Sequence, residues 1–361
     1  MSGMNDLFSE GPYKPEKLSL RLLSGRKCLE AEGLWREVFC EDSEAFTDYY
    51  FSQKADKNRG FVLEGPEGIR SMLYLTPEHM RVGGQDALSA YIVGVATRQD
   101  MRHRGYMRRL LEASFGLLLE EKMPFAFLMP ASPDIYRPFG FTWIYDKPCW
   151  DAQHFQKDGL MVLTERDADR MAAFASSFLK GKKSVYVARD CAYYKQQVLE
   201  LAAQEGCIFG AEDGAKNLQG LWMYTQEDGQ PEFTEVLAEE TLLETACTPV
   251  VEKKPAIMAR IICAERMLSF LRSEEPVRLT LRILDPLIEE NNGVFFCQLT
   301  KQGAAVERLR EDAVLKAAAE GQILNFDITG LTAAIFGYGE AKAPFGAKVR
   351  PLSPVWINEI V

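Results

Sequence analysis

Val93-Gly-Val-Ala-Thr-Arg-Gln-Asp-Met-Arg-His-Arg-Gly-Tyr-Met107 is the stretch whose reading decides the fold. It reads as a strand that stops, a short basic loop around one glycine, and then a helix. In that helix Tyr106, Leu110, Leu111, Phe115 and Leu118 recur at i, i+4, i+5, i+9 and i+12, which puts them on one face. A strand feeding a glycine loop at a helix start exposes backbone N–H groups that have no intrahelical acceptor. Those donors and the helix dipole favour a phosphate or pyrophosphate. Arg102, Arg104, Arg108 and Arg109 add fixed positive charge. The segment is therefore expected to cradle an anionic cofactor, the plain alternative being an ordinary strand–loop–helix with a solvated basic turn. No second or third glycine stands here at dinucleotide spacing, and no Gly-Lys-Ser/Thr follows, which argues against a dinucleotide fold or a P-loop.

Composition narrows the class. A length of 361 residues predicts two or three domains, and 47% hydrophobic residues supply their cores. No apolar run approaches the length of a membrane span. The first ten residues, Met1 to Glu10, lack the basic and apolar regions of a signal peptide, so a cytoplasmic location is expected. Eight cysteines are scattered without a Cys-x-x-Cys pair and the three histidines are far apart. No metal site is expected, and the thiols read as reduced core residues. A net charge of −10 disfavours nucleic acid as a partner and favours cationic substrates such as amines, though it also serves solubility alone.

The coarse pattern is α/β. An opening strand and an amphipathic helical stretch over 34–51 precede strands at 60–64, 69–75 and 87–96, with Val82-Gly-Gly-Gln85 as a turn. A helix over 105–121 and a continuous apolar strand, Phe125–Met129, complete a layer by about residue 148. A second unit, 149–254, has helices near 165–179 and 189–204 and strands at 207–211, 220–224 and 233–237. Glu252-Lys-Lys-Pro255 suggests the next boundary. The last unit, 255–361, reads as strands at 259–262, 277–283, 295–299 and 323–328, with helices at 265–271, 312–319 and 331–336.

Val93-Gly94-Val95 followed by Arg102-His103-Arg104-Gly105-Tyr106-Met107 resembles the acetyl-CoA signature of the GNAT acyltransferases, Met107 standing where Gly or Ala is usual. Pro130-Ala-Ser-Pro-Asp-Ile-Tyr136-Arg-Pro-Phe139-Gly140-Phe141 is similar to a segment of the Eis (enhanced intracellular survival) branch. The resemblance implies tandem GNAT domains, 1–148 and a degenerate 149–254, followed by a sterol-carrier-like α+β domain, 255–361. The middle domain has no Arg-x-x-Gly loop and is expected to bind no acetyl-CoA. The implied activity is transfer of an acetyl group from acetyl-CoA to a primary amine, aminoglycosides included, without a metal. The implied assembly is a homo-oligomer, a hexamer being one such form. A non-enzymatic acyl-CoA sensor or lipid-binding protein is the rival.

The resemblance also assigns roles. Val93, Gly94 and Val95 would hold the pantetheine arm, and His103 through Arg108 the pyrophosphate, with Ala131 and Ser132 beside the thiol end. Tyr136 would be the general acid: an unperturbed phenol of pKa ~10 is protonated at neutral pH and can protonate a leaving thiolate. A core tyrosine packed on Phe139 and Phe141 is the alternative. The terminal carboxylate of Val361 would be the base, with Glu359 as a neighbouring candidate; His103 belongs to the phosphate loop. The apolar end Pro354-Val-Trp-Ile-Asn-Glu-Ile-Val361 is expected to dock on the protein rather than fray. Trp35, Phe39, Ile92 and Glu359 are the candidate substrate contacts.

Overall fold

The computed structural model describes residues 17–226, 229–319, 323–339 and 345–359. The first part contains β1 (Ser19–Ser24), α1 (Glu32–Val38), α2 (Glu44–Gln53), β2 (Arg59–Gly65), β3 (Gly68–Val82), β4 (Gln85–Thr97), α3 (Tyr106–Glu120), β5 (Phe125–Leu128), α4 (Pro133–Tyr136) and β6 (Thr142–Trp150). The expected single helical stretch over 34–51 is two helices. The Ser43 side chain accepts from Phe46 N–H at 3.2 Å and starts α2 as an N-cap, which breaks the run. The amphipathic face of α3 is as expected: Leu110, Leu111, Phe115 and Leu118 are buried.

The middle part contains β7 (Met161–Leu163), α5 (Ala168–Leu179), β8 (Val185–Val187), α6 (Cys191–Ala203), β9 (Cys207–Glu212), β10 (Leu218–Thr225), β11 (Glu232–Ala238) and α7 (Glu240–Thr245). Its sheet runs β11-β10-β9-β7, all antiparallel. The first part pairs β1-β2-β3-β4 in the same antiparallel succession, with two helices between its first two strands. The middle part thus repeats the first half of the first fold. It stops before the strand–loop–helix that carries the basic glycine loop, because β11 leads into the six-residue α7 instead.

The remainder contains β12 (Val250–Ile261), α8 (Ala264–Leu268), β13 (Arg272–Ser273), β14 (Val277–Leu284), β15 (Gly293–Leu299), β16 (Ala304–Arg308), α9 (Glu311–Ala319), β17 (Ile323–Asp327), α10 (Ile328–Phe336), β18 (Val349–Arg350) and β19 (Val355–Trp356). Strand β12 corrects the expected boundaries. It inserts between β5 and β6 and completes the first sheet, β1-β2-β3-β4-β5-β12-β6. Positions 148 and 254 therefore both fall inside strands of one sheet, and the middle part is an insertion into the first. Lys253-Lys254-Pro255 resembled a linker because Val250 to Pro255 are exposed, whereas Ala256 to Ile261 are buried. Pro255 lies where β12 pairs with β6 on one side only, so its missing N–H breaks no ladder to β5.

The last sheet runs β16-β15-β14-β17, with β14 and β17 parallel. Helix α10 packs across it and against the first sheet: Leu331, Ile335 and Phe336 are buried, and the Phe336 ring meets Phe125 edge-on at 5.2 Å. Leu281, Ile283, Phe295, Cys297 and Leu299 join the same core. Among the described residues no helix is long and apolar enough to cross a membrane.

Candidate active site

Two irregularities in β4 create the site. Strands β4 and β5 pair in parallel at Ala90–Ala126 and Tyr91–Phe127. Beyond Tyr91 strand β4 runs on to Thr97 while β5 ends at Leu128, so the strands part and leave a cleft. Opposite the cleft the β3–β4 register slips between Met72 and Tyr74, and Gly94 sits at φ +61°. A Cβ on Gly94 would lie 2.5 Å from Cζ3 of Trp35, so both conformation and space demand glycine. Val93 and Val95 flank this bulge, Val93 buried and Val95 half-buried.

The loop beyond points its donors outward. Gly105 caps α3 in the left-handed region at φ +75°, and nothing lies within 4 Å of where its Cβ would be. Here glycine serves conformation and leaves open approach. His103 also takes positive φ, at 63°, which is uncommon for a side-chain-bearing residue. Arg109 N–H donates to the Gly105 carbonyl at 3.2 Å, so the amides of the turn before it face out of the helix end. Arg102, His103, Arg104 and Arg108 are exposed around that end, and Tyr106 and Met107 are half-buried. The Arg108 guanidinium lies 4.9 Å from the centre of the Phe139 ring. This donor set fits a pyrophosphate.

Tyr136 ends α4, whose N-cap is Ser132, with Ala131 exposed beside it. Tyr136 is buried in one cluster with Ile92, Leu128 and Phe139, its ring edge-on to Phe141 at 5.9 Å. Burial pushes the phenol up to about 12, above the ordinary value expected from sequence. It is thus held protonated but is a weaker acid than an exposed tyrosine.

On the other face of the sheet lies a cavity of 860 Å³, walled by β3, the end of α2, α6, β10, β11 and the C-terminal segment. Tyr91 and Met129 bring it to the point where β4 and β5 part. Six carboxylates line it, those of Glu78, Asp190, Glu200, Glu232, Glu235 and Glu359, against the lysines Lys54, Lys57 and Lys195. Glu200 and Glu235 are held in buried ion pairs. Glu200 meets Lys54 Nζ at 3.1 Å, and Glu235 accepts from Nε and Nη2 of the fully buried Arg189 at 3.0 and 2.6 Å. Glu78 makes no side-chain hydrogen bond or ion pair among the described residues. Burial pushes its carboxyl up to about 8, aided by Glu359 and opposed by Lys54 and Arg189.

Within the described residues, 354–359 dock on the protein. β19 pairs in parallel with β8, and the Trp356 indole and Asn358 amide donate to Glu235 at 2.8 and 3.2 Å. Tyr145 donates to Asn358 at 2.8 Å. Glu359 reaches the cavity, with Oε1 3.0 Å from Arg189 Nη2, and its Oε2 is buried without a partner among the described residues. Burial raises its carboxyl, against the pull of Arg189. Val361 lies outside the described residues.

Trp35, Phe39 and Ile92, three of the expected substrate contacts, do not line this cavity. Trp35 and Phe39 lie behind the bulge, Trp35 stacked on Tyr50 at 4.4 Å and bonded through Nε1 to Asp42 at 3.0 Å. Ile92 faces α3, because side chains alternate along a strand; its neighbour Tyr91 is the cavity residue. Sequence reasoning missed Glu78, Arg189 and Glu235. Glu78 carried a signal, since it shares the inward alternation of Tyr74, Thr76 and Met80. Arg189 and Glu235 are 46 residues apart and carried none.

A cleft between parting strands, an anion-receiving helix end and an adjoining chamber are the parts of a CoA-dependent acyltransferase. Comparison bears this out: the family described as acetyltransferase (GNAT) domain matches residues 19–144, and the sterol carrier protein domain family matches 264–343. The chain thus carries a GNAT acetyltransferase domain, with a sterol carrier protein domain behind it. No curated protein matches the sequence. Among solved structures, a probable N-acyltransferase from Enterococcus faecalis is 15% identical, with TM-score 0.75 over 93% of this chain and 94% of that one. A GCN5-related N-acetyltransferase from Kribbella flavida is 16% identical, with TM-score 0.70 over 95% and 99%. Eis1 from Mycobacterium abscessus is 12% identical, with TM-score 0.65 over 93% and 94%. At these identities the likeness is one of fold, and it extends over nearly the whole chain.

Proposed function

We propose that the protein transfers an acetyl group from acetyl-CoA to a primary amine of aminoglycoside, polyamine or lysine type, by direct attack in a ternary complex. The observation that carries this is the acid-lined chamber meeting the β4–β5 cleft at Tyr91. A cationic amine is drawn to such a wall, and the chamber is large enough for a small polyamine or one sugar amine. The amides and arginines of 102–108 hold the donor's pyrophosphate, the free backbone of Val93–Val95 its pantetheine arm, and Ala131 and Ser132 its thiol end. Tyr136 protonates the leaving thiolate from the α3 face, while the amine approaches from the opposite face. The docking of residues 354–359 beside the chamber supports a carboxylate as proton acceptor, the terminal group of Val361 being the one the resemblance implies.

In this scheme the first part with β12 binds the donor, the middle part walls the acceptor chamber, and neither needs a metal. We place the working form in the cytoplasm as a homo-oligomer, which light scattering on the purified protein checks. The sterol-carrier part favours a structural role over lipid carriage, because α10 and the first sheet fill its inner face. The deciding experiment is mass spectrometry of acceptors after incubation with acetyl-CoA and a panel of aminoglycosides, polyamines and lysine peptides. A gain of one acetyl group on an amine is the expected result. Measurable acetyl-CoA binding with no acetylated amine would favour a sensor.

A further inference from the structure

We propose that Glu78 is the group that accepts the proton of the acceptor ammonium, and that Glu359 holds it in readiness while binding the same cation. The inference rests on the acetyltransferase reading and goes beyond it in naming the acceptor. Glu78 stands on β3 opposite Ser89 of β4, and Thr76, two residues before it, is opposite Tyr91. Paired residues of an antiparallel ladder project to the same face, so Glu78 and Tyr91 enter the chamber together, next to the point where β4 and β5 part. Among the described residues the Glu78 carboxylate has no hydrogen-bond or ion-pair partner, and the side chain of Glu359 is 9% exposed, with a buried oxygen that lacks a donor. An ammonium between them supplies what both lack, since a buried carboxylate oxygen without a donor is costly.

The groups facing Glu78 from the surrounding elements are Lys54 of α2, Arg189 after β8, Glu200 of α6, Glu235 of β11, and Tyr193 and Glu359 beside them. Lys54 serves Glu200, and Arg189 serves Glu235 and one oxygen of Glu359, so among the described residues Glu78 and the second Glu359 oxygen are left facing each other without a cation of their own.

Acid strength favours a carboxyl raised by burial over an unperturbed one. An alkylammonium near ~10.4 loses its proton to a free terminal carboxyl near ~3.5 against a factor of about 10⁷. Transfer to a carboxylate pushed up to about 8 is uphill by only about 10²-fold. In the step, Glu78 takes one proton from the ammonium and the freed lone pair attacks the thioester carbon. The C–S bond then breaks, the nitrogen sheds its second proton, and the thiolate is protonated; CoA thiol and one net proton are released.

Two measurements test the assignment. The first is carbon NMR of protein labelled with ¹³C at the Glu carboxyls, titrated from pH 4 to 10. One resonance with a midpoint near 8 is expected, absent in Glu78→Gln and shifted to lower pH in Glu359→Gln, where a neighbouring negative charge is gone. The second is kcat against pH at saturating substrates, for an amine found in the acceptor panel. The rate should rise through the same midpoint, fall at least 100-fold in Glu78→Gln, and lose that limb, with acetyl-CoA affinity unchanged as the folding control. Glu359→Gln should move the limb to lower pH and raise the amine KM. The proposal is overturned if Glu78→Gln keeps the titrating resonance, or keeps kcat and its pH limb while a two-residue extension after Val361 abolishes turnover. Failure of the acceptor panel alone would count against the acetyltransferase reading, since the NMR titration stands without turnover.

Discussion

Replacing Arg260 with methionine is the sharpest test of how the Tyr136–Phe141 segment is held. Arg260 lies on β12, and both it and Asp285 have 0% side-chain exposure. Its Nη2 donates to both Asp285 oxygens at 2.7 and 2.8 Å, its Nη1 donates to the Phe139 carbonyl at 2.7 Å, and its guanidinium covers the Phe115 ring at 4.7 Å. One cation therefore ties the Tyr136–Phe141 segment to the loop after β14. Methionine keeps the bulk but strands a buried carboxylate, whose remaining donors are Leu287 N–H, Ile288 N–H and the Asn291 amide. Breaking one side of a buried pair costs about 3–5 kcal/mol, and the orphaned Phe139 carbonyl adds to it. Urea unfolding followed by fluorescence should show a loss of about 4 kcal/mol, and kcat should fall more than acetyl-CoA affinity as Tyr136 loosens. A loss under about 1 kcal/mol would refute the reasoning. Gly140→Ala is an independent check, since its Cβ would lie 2.3 Å from Arg260 Nη1 at φ +79°. If both changes break the same contact, the double variant should lose less than the sum of the singles.

Other expectations follow from the same geometry. Gly94→Ala should cost about 2–4 kcal/mol, a left-handed penalty of ~1–2 kcal/mol plus the collision with Trp35, and Trp35→Leu in the same chain should restore only the steric part on urea titration. Tyr136→Phe should lower kcat by about 10²-fold or more with little change in acetyl-CoA affinity measured by calorimetry; unchanged turnover removes its role as acid. Glu78 holds its proton to higher pH in the folded protein than in the unfolded chain, so stability is lost as pH rises from the ordinary carboxylate range through about 8. Melting temperature should therefore fall less steeply between pH 5 and 9 in Glu78→Gln than in the parent protein.

The sequence by itself determined the local chemistry. The 3.6-residue periodicity of 106–118, the apolar run of β5 and the turn at Gly105 are each set by neighbours a few residues away, so the strand–loop–helix of 93–107 was legible, although the space that requires Gly94 is filled by the distant Trp35. The spacing of Tyr136, Phe139, Gly140 and Phe141 was likewise readable as a segment, although the reason for Gly140 is the Arg260 guanidinium pressed against it. Tertiary structure alone decided what depends on pairing across long separations. Strand β12 returns to the first sheet from beyond the middle part, because six of its residues are buried only when they fill the space between β5 and β6. The acid-lined chamber exists only where that insertion, α2 and the C-terminal segment converge on β3. Which side of β4 faces it is set by the sheet's packing, so Tyr91 rather than Ile92 lines it. The carboxyl of Glu78 is displaced by burial and by a charge 281 positions away in sequence, at Glu359, a proximity no local pattern encodes.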